Sequence, residues 1–406
     1  MSQTFLNMKE LLTYIMALGL GFLTIQSCRK LEPKAPAEEQ ILDGPVAGLT
    51  GEQNEMFLRG DIAFNDEVFT KESGLGPLFV STSCGSCHAG DGKGHPFTTL
   101  IRFGQSDESG NLFLHMGGPQ LQNRALAGYT PEAIPAGASS SKFTPPANTG
   151  LGYIDAVSDA DLLALTDPND ADGDGISGVV NLIPLKGFLT PRPNSIVVNG
   201  KHIGRFGKKA GAYDLLQQTA AAYNQDMGIT STYEPFDTYT GHAVEQEVSN
   251  VTVQDVVFYL KALKAPVQRN TNDPDVVLGR QLFVQSDCSK CHTPELKTGY
   301  SPIAALSYKT FSPYTDLLMH DMGPGLDDGY TEGTARSYEW RTPALWGLGL
   351  SKASQGGAYF LMHDGRAGSI EAAILLHGGE AAQSRDKYNS LSEEERKKLV
   401  KFLESL

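Results

Sequence analysis

Four of the five cysteines stand in two copies of one pattern, Cys84-Gly-Ser-Cys87-His88 and Cys288-Ser-Lys-Cys291-His292. Two thiols at this spacing reach the two vinyl groups of one porphyrin as thioethers, and the histidine that follows reaches the iron, so each copy predicts a covalently attached c-type haem. A thioredoxin-like redox pair or a zinc site also uses C-x-x-C, but neither explains a histidine directly after both pairs. A further pattern is Asp167-Pro-Asn-Asp170-Ala-Asp172-Gly-Asp174-Gly175. Carboxylates at alternate positions, with a glycine to permit the bend, converge oxygens on a hard cation, and we expect calcium on Asp170, Asp172 and Asp174. The twelfth position from Asp170 is Asn181 rather than Glu, and a plain acidic turn is the alternative.

Helices must position these groups. Thr252-Val-Gln-Asp255 leads into one that runs to Leu263, and Ser392-Glu-Glu-Glu395 into one that runs to Leu406. Each opens with a hydroxyl N-cap followed three residues later by an acid and closes on an aromatic-Leu-x-x-Leu stripe. Val276 to Phe283 has helical apolar spacing, with Gly279 where a second helix can approach closely. The Pro- and Asn-containing stretch from Lys264 to Pro274 separates two halves, a first haem domain over 49–267 and a second over 268–406. Between about Gln105 and Gly200, turn residues and β-branched runs such as Ser195 to Asn199 predict an irregular insertion with a few strands. The expected fold class is mostly α, two cytochrome c-like haem domains, the first with this partly β insertion.

The 406 residues are 40% apolar, which suits a folded chain of about two domains. With 33 Lys+Arg against 47 Asp+Glu the formal charge is −14, which repels phosphate backbones and argues against nucleic acid as a partner. Five cysteines are too few for a disulfide-built scaffold of this length. The apolar run from Leu11 to Ile25, preceded by Lys9, has the length of a secretory segment, so residues 1–27 read as a signal peptide. Leu23-Thr-Ile-Gln-Ser-Cys28 resembles the lipobox of bacterial lipoproteins and implies acylation at Cys28, a membrane anchor, and a tether over 28–48. Cleavage near Ser27 without lipid is the alternative. The location implied is the periplasmic side or the cell surface, and an exported chain is where c-type haem is attached.

Several motifs resemble the dihaem oxidoreductase family. They are Phe64-Asn-Asp-Glu-Val-Phe69, Gly74-Leu-Gly-Pro-Leu-Phe79 ahead of the first haem motif, the Asp170 loop, Gly204-Arg-Phe-Gly-Lys-Lys-Ala210, Asp226-Met-Gly-Ile-Thr230, Tyr314 to Gly325, and Glu339-Trp-Arg-Thr-Pro343. The resemblance covers almost everything after about residue 50. Members are labelled peroxidases or thiol oxidoreductases, and the thiol label does not suit a chain whose cysteines go to haem and lipid. More distantly the chain resembles bacterial dihaem cytochrome c peroxidases and the dihaem maturase of methylamine dehydrogenase. Arg341-Thr-Pro-Ala-Leu345, Phe360-Leu-Met-His363-Asp-Gly-Arg366 and Ser369-Ile-Glu-Ala-Ala373 match the segment that carries the sixth ligand of the second haem in those enzymes. His377 stands where the peroxidases place Met and the maturase Tyr, so the resemblance implies His377 on the iron opposite His292, with Met322 as the alternative. Two imidazoles leave that haem at a lower potential than Met and His would.

Phe206 to Asp214 is a second copy of this segment, with no histidine at the position equivalent to His377. There the resemblance implies a glutamine and an acid over the peroxide-binding haem: Gln217, one residue out of step, and Asp226, shorter than the usual Glu. Peroxide cleavage needs a carboxyl that moves a proton between two oxygens, and Asp226 suits that task or the capping of its own turn. The implied function is an extracytoplasmic dihaem redox protein that exchanges electrons with a donor or acceptor protein at the second haem and reduces hydrogen peroxide at the first. An electron carrier with both irons six-coordinate, and a maturase that oxidises a partner protein, are the alternatives. His95, His115, His202, His242 and His320 read as loop histidines, with His95, His115 and Met116 as candidates to close the first iron. Trp340 and Trp346 flank the Arg-Thr-Pro turn and read as haem contacts or as core.

Overall fold

Each haem motif is positioned by a pair of crossing helices built to one plan. A computed structural model describes residues 37–406, so the signal peptide, Cys28 and the tether up to residue 36 lie outside the described residues. Glu38–Gln40 is a single 3-10 turn. In the unit that follows, residues 42–406, the first half contributes α1 (Gly51–Asn65), α2 (Leu151–Asp155), α3 (Asp159–Ala164), α4 (Leu215–Met227) and α5 (Asn250–Ala262). The second contributes α6 (Pro274–Gln285), α7 (Ser351–Ser354), α8 (Ile370–Leu375), α9 (Ala382–Ser390) and α10 (Glu393–Ser405).

The starts of these helices follow from their caps. Ser392 and Glu395 form a reciprocal capping box on α10, as the sequence pattern implied, and Thr50 and Gln53 form another on α1, which that reading did not single out. Asp273 caps α6, with Pro274 at the first helical position where a missing N–H costs nothing. Helix α5 begins one turn earlier than the pattern suggested. Its N-cap is Ser249, whose hydroxyl accepts from the Thr252 N–H at 3.0 Å, so Thr252 lies inside the first turn and Val253 joins the buried stripe.

Helix α1 crosses α5 at Gly60, where a Cβ would collide with the Asp255 carbonyl and the Tyr259 side chain. Helix α6 crosses α10 at Gly279, where it would collide with the Lys398 carbonyl and the Phe402 side chain. In both crossings the residues met lie four apart on the partner helix, and the residue four after the glycine is Phe. That Phe lies beside the histidine of its motif, with ring centroids 5.9 Å apart for Phe64 and His88 and 6.5 Å apart for Phe283 and His292. Each crossing also seeds a core. Phe57, Phe64, Val256 and Tyr259 belong to one, with Cys84 packed against it; Val276, Phe283, Leu399 and Phe402 belong to another, with Cys288 packed against it. The first core reaches past the 264–274 linker, taking in Leu296, Phe311, Leu317 and Trp346.

The fold class is helix-rich but more mixed than expected, 33% helix and 12% strand. In the first half the antiparallel pairs are β1 (Leu78–Phe79) with β3 (Arg124–Ala125) and β2 (Leu100–Phe103) with β4 (Ser140–Phe143). A three-stranded sheet orders β5 (Leu182–Ile183), β7 (Lys201–Ile203) and β6 (Val197–Val198). Strands are not confined to the insertion. β8 (Leu296–Lys297) pairs with β9 (Thr310–Phe311), and β10 (Met319–Asp321) with β11 (Glu339–Arg341), in a register that sets His320 opposite Trp340. Ladders of two to four residues are too short to leave a clear period-two pattern in the sequence.

Candidate functional site

Both Cys-x-x-Cys-His motifs line one cavity of about 690 Å³, with apolar walls that include Phe64, Leu260, Phe283 and Leu399. His88 Nδ1 lies 3.0 Å from the Pro146 carbonyl and His292 Nδ1 lies 3.0 Å from the Tyr314 carbonyl. A carbonyl only accepts, so each ring carries its proton on Nδ1 and keeps the Nε2 lone pair for a metal. Burial pushes both imidazoles down to about 4, which keeps them neutral, the ligating form, at pH 7.

The four cysteines are unpaired. Burial pushes the Cys84 and Cys288 thiols up to about 12, the opposite of what a thioredoxin-like nucleophile requires. Zinc fits no better. Among the described residues the side chains whose donor atoms converge are Cys291 with Asp316 and His320, and Asp167 with Asp170 and Asp172; Cys84 and Cys87 belong to no such group. His320 is already engaged at both nitrogens, 2.8 Å from Asp316 and 2.7 Å from Glu380. Two unpaired thiols and a free Nε2 at each motif, facing one large apolar cavity that both motifs line, are the donor set and enclosure of c-type haem.

His377 lines the same cavity. Its Nδ1 is 2.8 Å from the Ala373 carbonyl, which leaves Nε2 without a hydrogen bond, and burial lowers its pKa. It lies close enough to His292 to lower that ring's pKa as well. Ser369 caps α8 and Asp214 caps α4; His377 is eight residues beyond the first cap, and the residue eight beyond the second is Ala222, also on the cavity wall. Met322 reaches the wall but packs with Phe143, Leu326, Tyr330 and Trp340. His95, His115 and Met116 do not line the cavity, and His115 and Met116 are exposed.

Asp226 sits at the end of α4 in the cavity wall, with its charge near both Cys84 and Cys87. Burial raises its carboxyl to about 6, against the opposing pull of a hydrogen bond from Gln120 Nε2 and the charge of Arg102. Gln120 also lines the cavity, and the sequence alone did not single it out. It is brought to Asp226 by a bridge between Arg102 and Gln120 backbones, a pairing no local pattern encodes. Gln217 also lines the cavity, but its Oε1 accepts the Tyr213 N–H at 2.9 Å at the start of α4. Arg102 is itself held by Glu332 at 2.6 Å and by the Tyr330 hydroxyl at 3.3 Å.

Two further placements differ from expectation, those of Asp174 and His320, whereas Trp340 is placed as expected. In the acidic loop the converging carboxylates are Asp167, Asp170 and Asp172, whereas Asp174 pairs with Lys290 at 2.9 Å, inside the second haem motif. His320 is no loop histidine: it is buried on β10, 3.8 Å from Cys291 Sγ. Burial alone would lower its pKa, but the bonds to Asp316, Cys291 and Glu380 override it and raise it well above the ordinary value. Trp340 lines the cavity between Lys209, whose Nζ is 3.7 Å from the ring centroid, and His363, stacked at 3.7 Å and 10°.

A helix-rich chain with a covalent haem motif at each of two similar helix crossings defines a dihaem c-type redox protein. Residues 142–406 match the family described as "Di-haem oxidoreductase, putative peroxidase", and the chain belongs to that family. The match includes the second haem motif, Asp226 and His377; the first motif precedes it. No curated protein matches the chain. Among solved structures it is similar to hydrazine synthase from Kuenenia stuttgartiensis, at 14% identity over 93% of this chain and 98% of that one, with a TM-score of 0.38. It is also similar to a MauG-like protein associated with microbial copper homeostasis, at 15% identity over 63% of this chain and 87% of that one, with a TM-score of 0.31. Likenesses at these scores say nothing about activity.

Proposed function

We propose that the protein reduces hydrogen peroxide at the Cys84/Cys87/His88 site, with electrons supplied by an external donor protein at the Cys288/Cys291/His292 site. The observation that carries this reading is the Gln120–Asp226 pair in the cavity wall beside the first motif. When bound, the haems supply the one-electron redox chemistry. Converting peroxide to two waters consumes two electrons and two protons, so protein groups must take a proton from one oxygen and deliver it to the other. Asp226 in its ionised form accepts that proton and returns it, with Gln120 holding the carboxylate in orientation. The Arg102 guanidinium, kept in place by Glu332 and Tyr330, puts positive charge where the departing oxygen becomes negative.

Ala222 offers no ligand at the first site, while His292 and His377, each with Nδ1 on a backbone carbonyl, would together hold the second haem's iron when that haem is bound. The cation of the acidic loop belongs to the same proposal, held by Asp167, Asp170 and Asp172. So do the division into two haem domains and the exported, Cys28-anchored location, both of which rest on the sequence. The test is peroxide turnover by Asp226→Asn with both haems retained. A loss of at least about 10²-fold is expected, and a variant as fast as the wild type overturns the assignment.

A further inference from the structure

We propose that Lys208, together with Lys93 and Arg341, is the binding site for the propionate carboxylates of the haem held at Cys84 and Cys87. The inference rests on the haem assignment and is independent of peroxide reduction. Lys208 and Lys209 are neighbours with opposite circumstances. Lys209 Nζ donates to three carbonyls, Arg336 at 3.0 Å, Ser337 at 2.9 Å and Glu339 at 2.8 Å. Lys208 lines the cavity, and among the described residues its Nζ has no hydrogen-bond or ion-pair partner.

The Lys208 environment is otherwise cationic. Burial pushes it down to about 7, and Lys93 and Arg341 push it further in the same direction. The carboxylate that opposes this, Asp364, is itself bound to Arg366 at 2.7 Å. Lys93 lines the same cavity, also without a partner, and burial lowers it to about 8. Arg341 is fixed among them by its backbone N–H on the Lys208 carbonyl at 3.0 Å and its Nε on the Gly207 carbonyl at 2.9 Å.

Asp364 near Lys208 and Asp316 near Arg341 are held by Arg366 and His320, and cations gathered in a cavity wall without a carboxylate bonded to them are costly unless an anion joins them. The carboxylates of that wall are engaged elsewhere: Glu332 by Arg102, Asp226 by Gln120, Glu234 by Lys186 and Asp287 by Lys387. A c-type haem brings two carboxylates of its own, and Lys93 stands five residues after His88 and next to Gly94, where a Cβ would meet the Cys87 carbonyl at 2.6 Å, which places the cluster at the first motif.

The test is a spectroelectrochemical titration of the intact dihaem protein, a readout that needs no turnover. Removing a positive charge beside a haem carboxylate favours the ferric form. Lys208→Met should therefore lower one of the two midpoint potentials, by at least about threefold in the ferrous-to-ferric ratio at fixed potential, and leave the other unmoved. Lys208→Arg should restore it. If Lys208→Met does not load haem, Lys93→Met decides, with a shift of the same sign expected. Wild-type potentials in a haem-loaded Lys208→Met or Lys93→Met protein overturn the proposal. So does a wild-type potential that moves with added phosphate, which would assign the cluster to a diffusible anion.

Discussion

A carboxyl that carries a proton near neutral pH works best with a pKa near the working pH, and burial gives Asp226 one of about 6. The working form is the ionised one, so peroxide turnover should fall on the acid side with a midpoint near that value. In Asp226→Asn the acid limb should vanish along with at least about 10² of the rate. Gln217→Ala should keep the rate, because its amide serves the Tyr213 N–H, and should cost only about 0.5–1.5 kcal/mol of stability. His320 makes a separate prediction. Held between Asp316 and Glu380, it keeps its proton in the fold, whereas the unfolded chain releases it near pH ~6.5. Its contribution is therefore complete below about pH 6.5 and declines as pH rises. Urea unfolding should show that decline, and His320→Gln should abolish it at a cost of about 3–5 kcal/mol. Of these residues, the cysteines and their histidines were legible because attachment chemistry demands a local spacing. Gln120 was not, because it meets Asp226 across 106 residues of chain. Nor were the opposite circumstances of Lys208 and Lys209, which depend on what each side chain faces once the fold closes.

The helix crossings at Gly60 and Gly279 carry the haem motifs, so a methyl group at either should be felt at its own half of the molecule. Gly60→Ala and Gly279→Ala should each cost about 1–3 kcal/mol or more, read as a lower Tm in calorimetry, with haem stain per chain reporting which motif suffers. Gly279 was legible as a close approach because it interrupts a clean apolar stripe. The cap of α5 was misplaced by one turn because Ser249 and Thr252 are both competent N-caps, and only the buried stripe decides between them. The acidic loop is the third element with a test. Chelation should lower the wild-type Tm, and Asp170→Asn with Asp172→Asn should remove that sensitivity. Asp174→Asn should leave it intact, since that carboxylate is held by Lys290. A wild type whose melting ignores both chelator and calcium contradicts the cation.

At the scale of the whole molecule, two similar helix crossings and their Cys-x-x-Cys-His motifs line one cavity, and the two copies differ in one segment. The same cap-to-helix segment ends in His377 in one half and passes through Ala222 in the other. On the proposed function, that single difference would leave a low-spin, closed iron for electron exchange and an open iron for the oxidant. The repeated plan was readable in part, through the two motifs and the terminal helix, but the Gly60 crossing emerged only with its partner helix in view. The asymmetry is also what separates a peroxidase from a simple electron carrier. It is tested most directly by electron paramagnetic resonance of the fully oxidised protein as purified, with two haems per chain. The account predicts one high-spin ferric signal and one low-spin bis-histidine signal in equal amounts, with His377→Ala converting the low-spin signal to high-spin. Two low-spin signals in the wild type would contradict it.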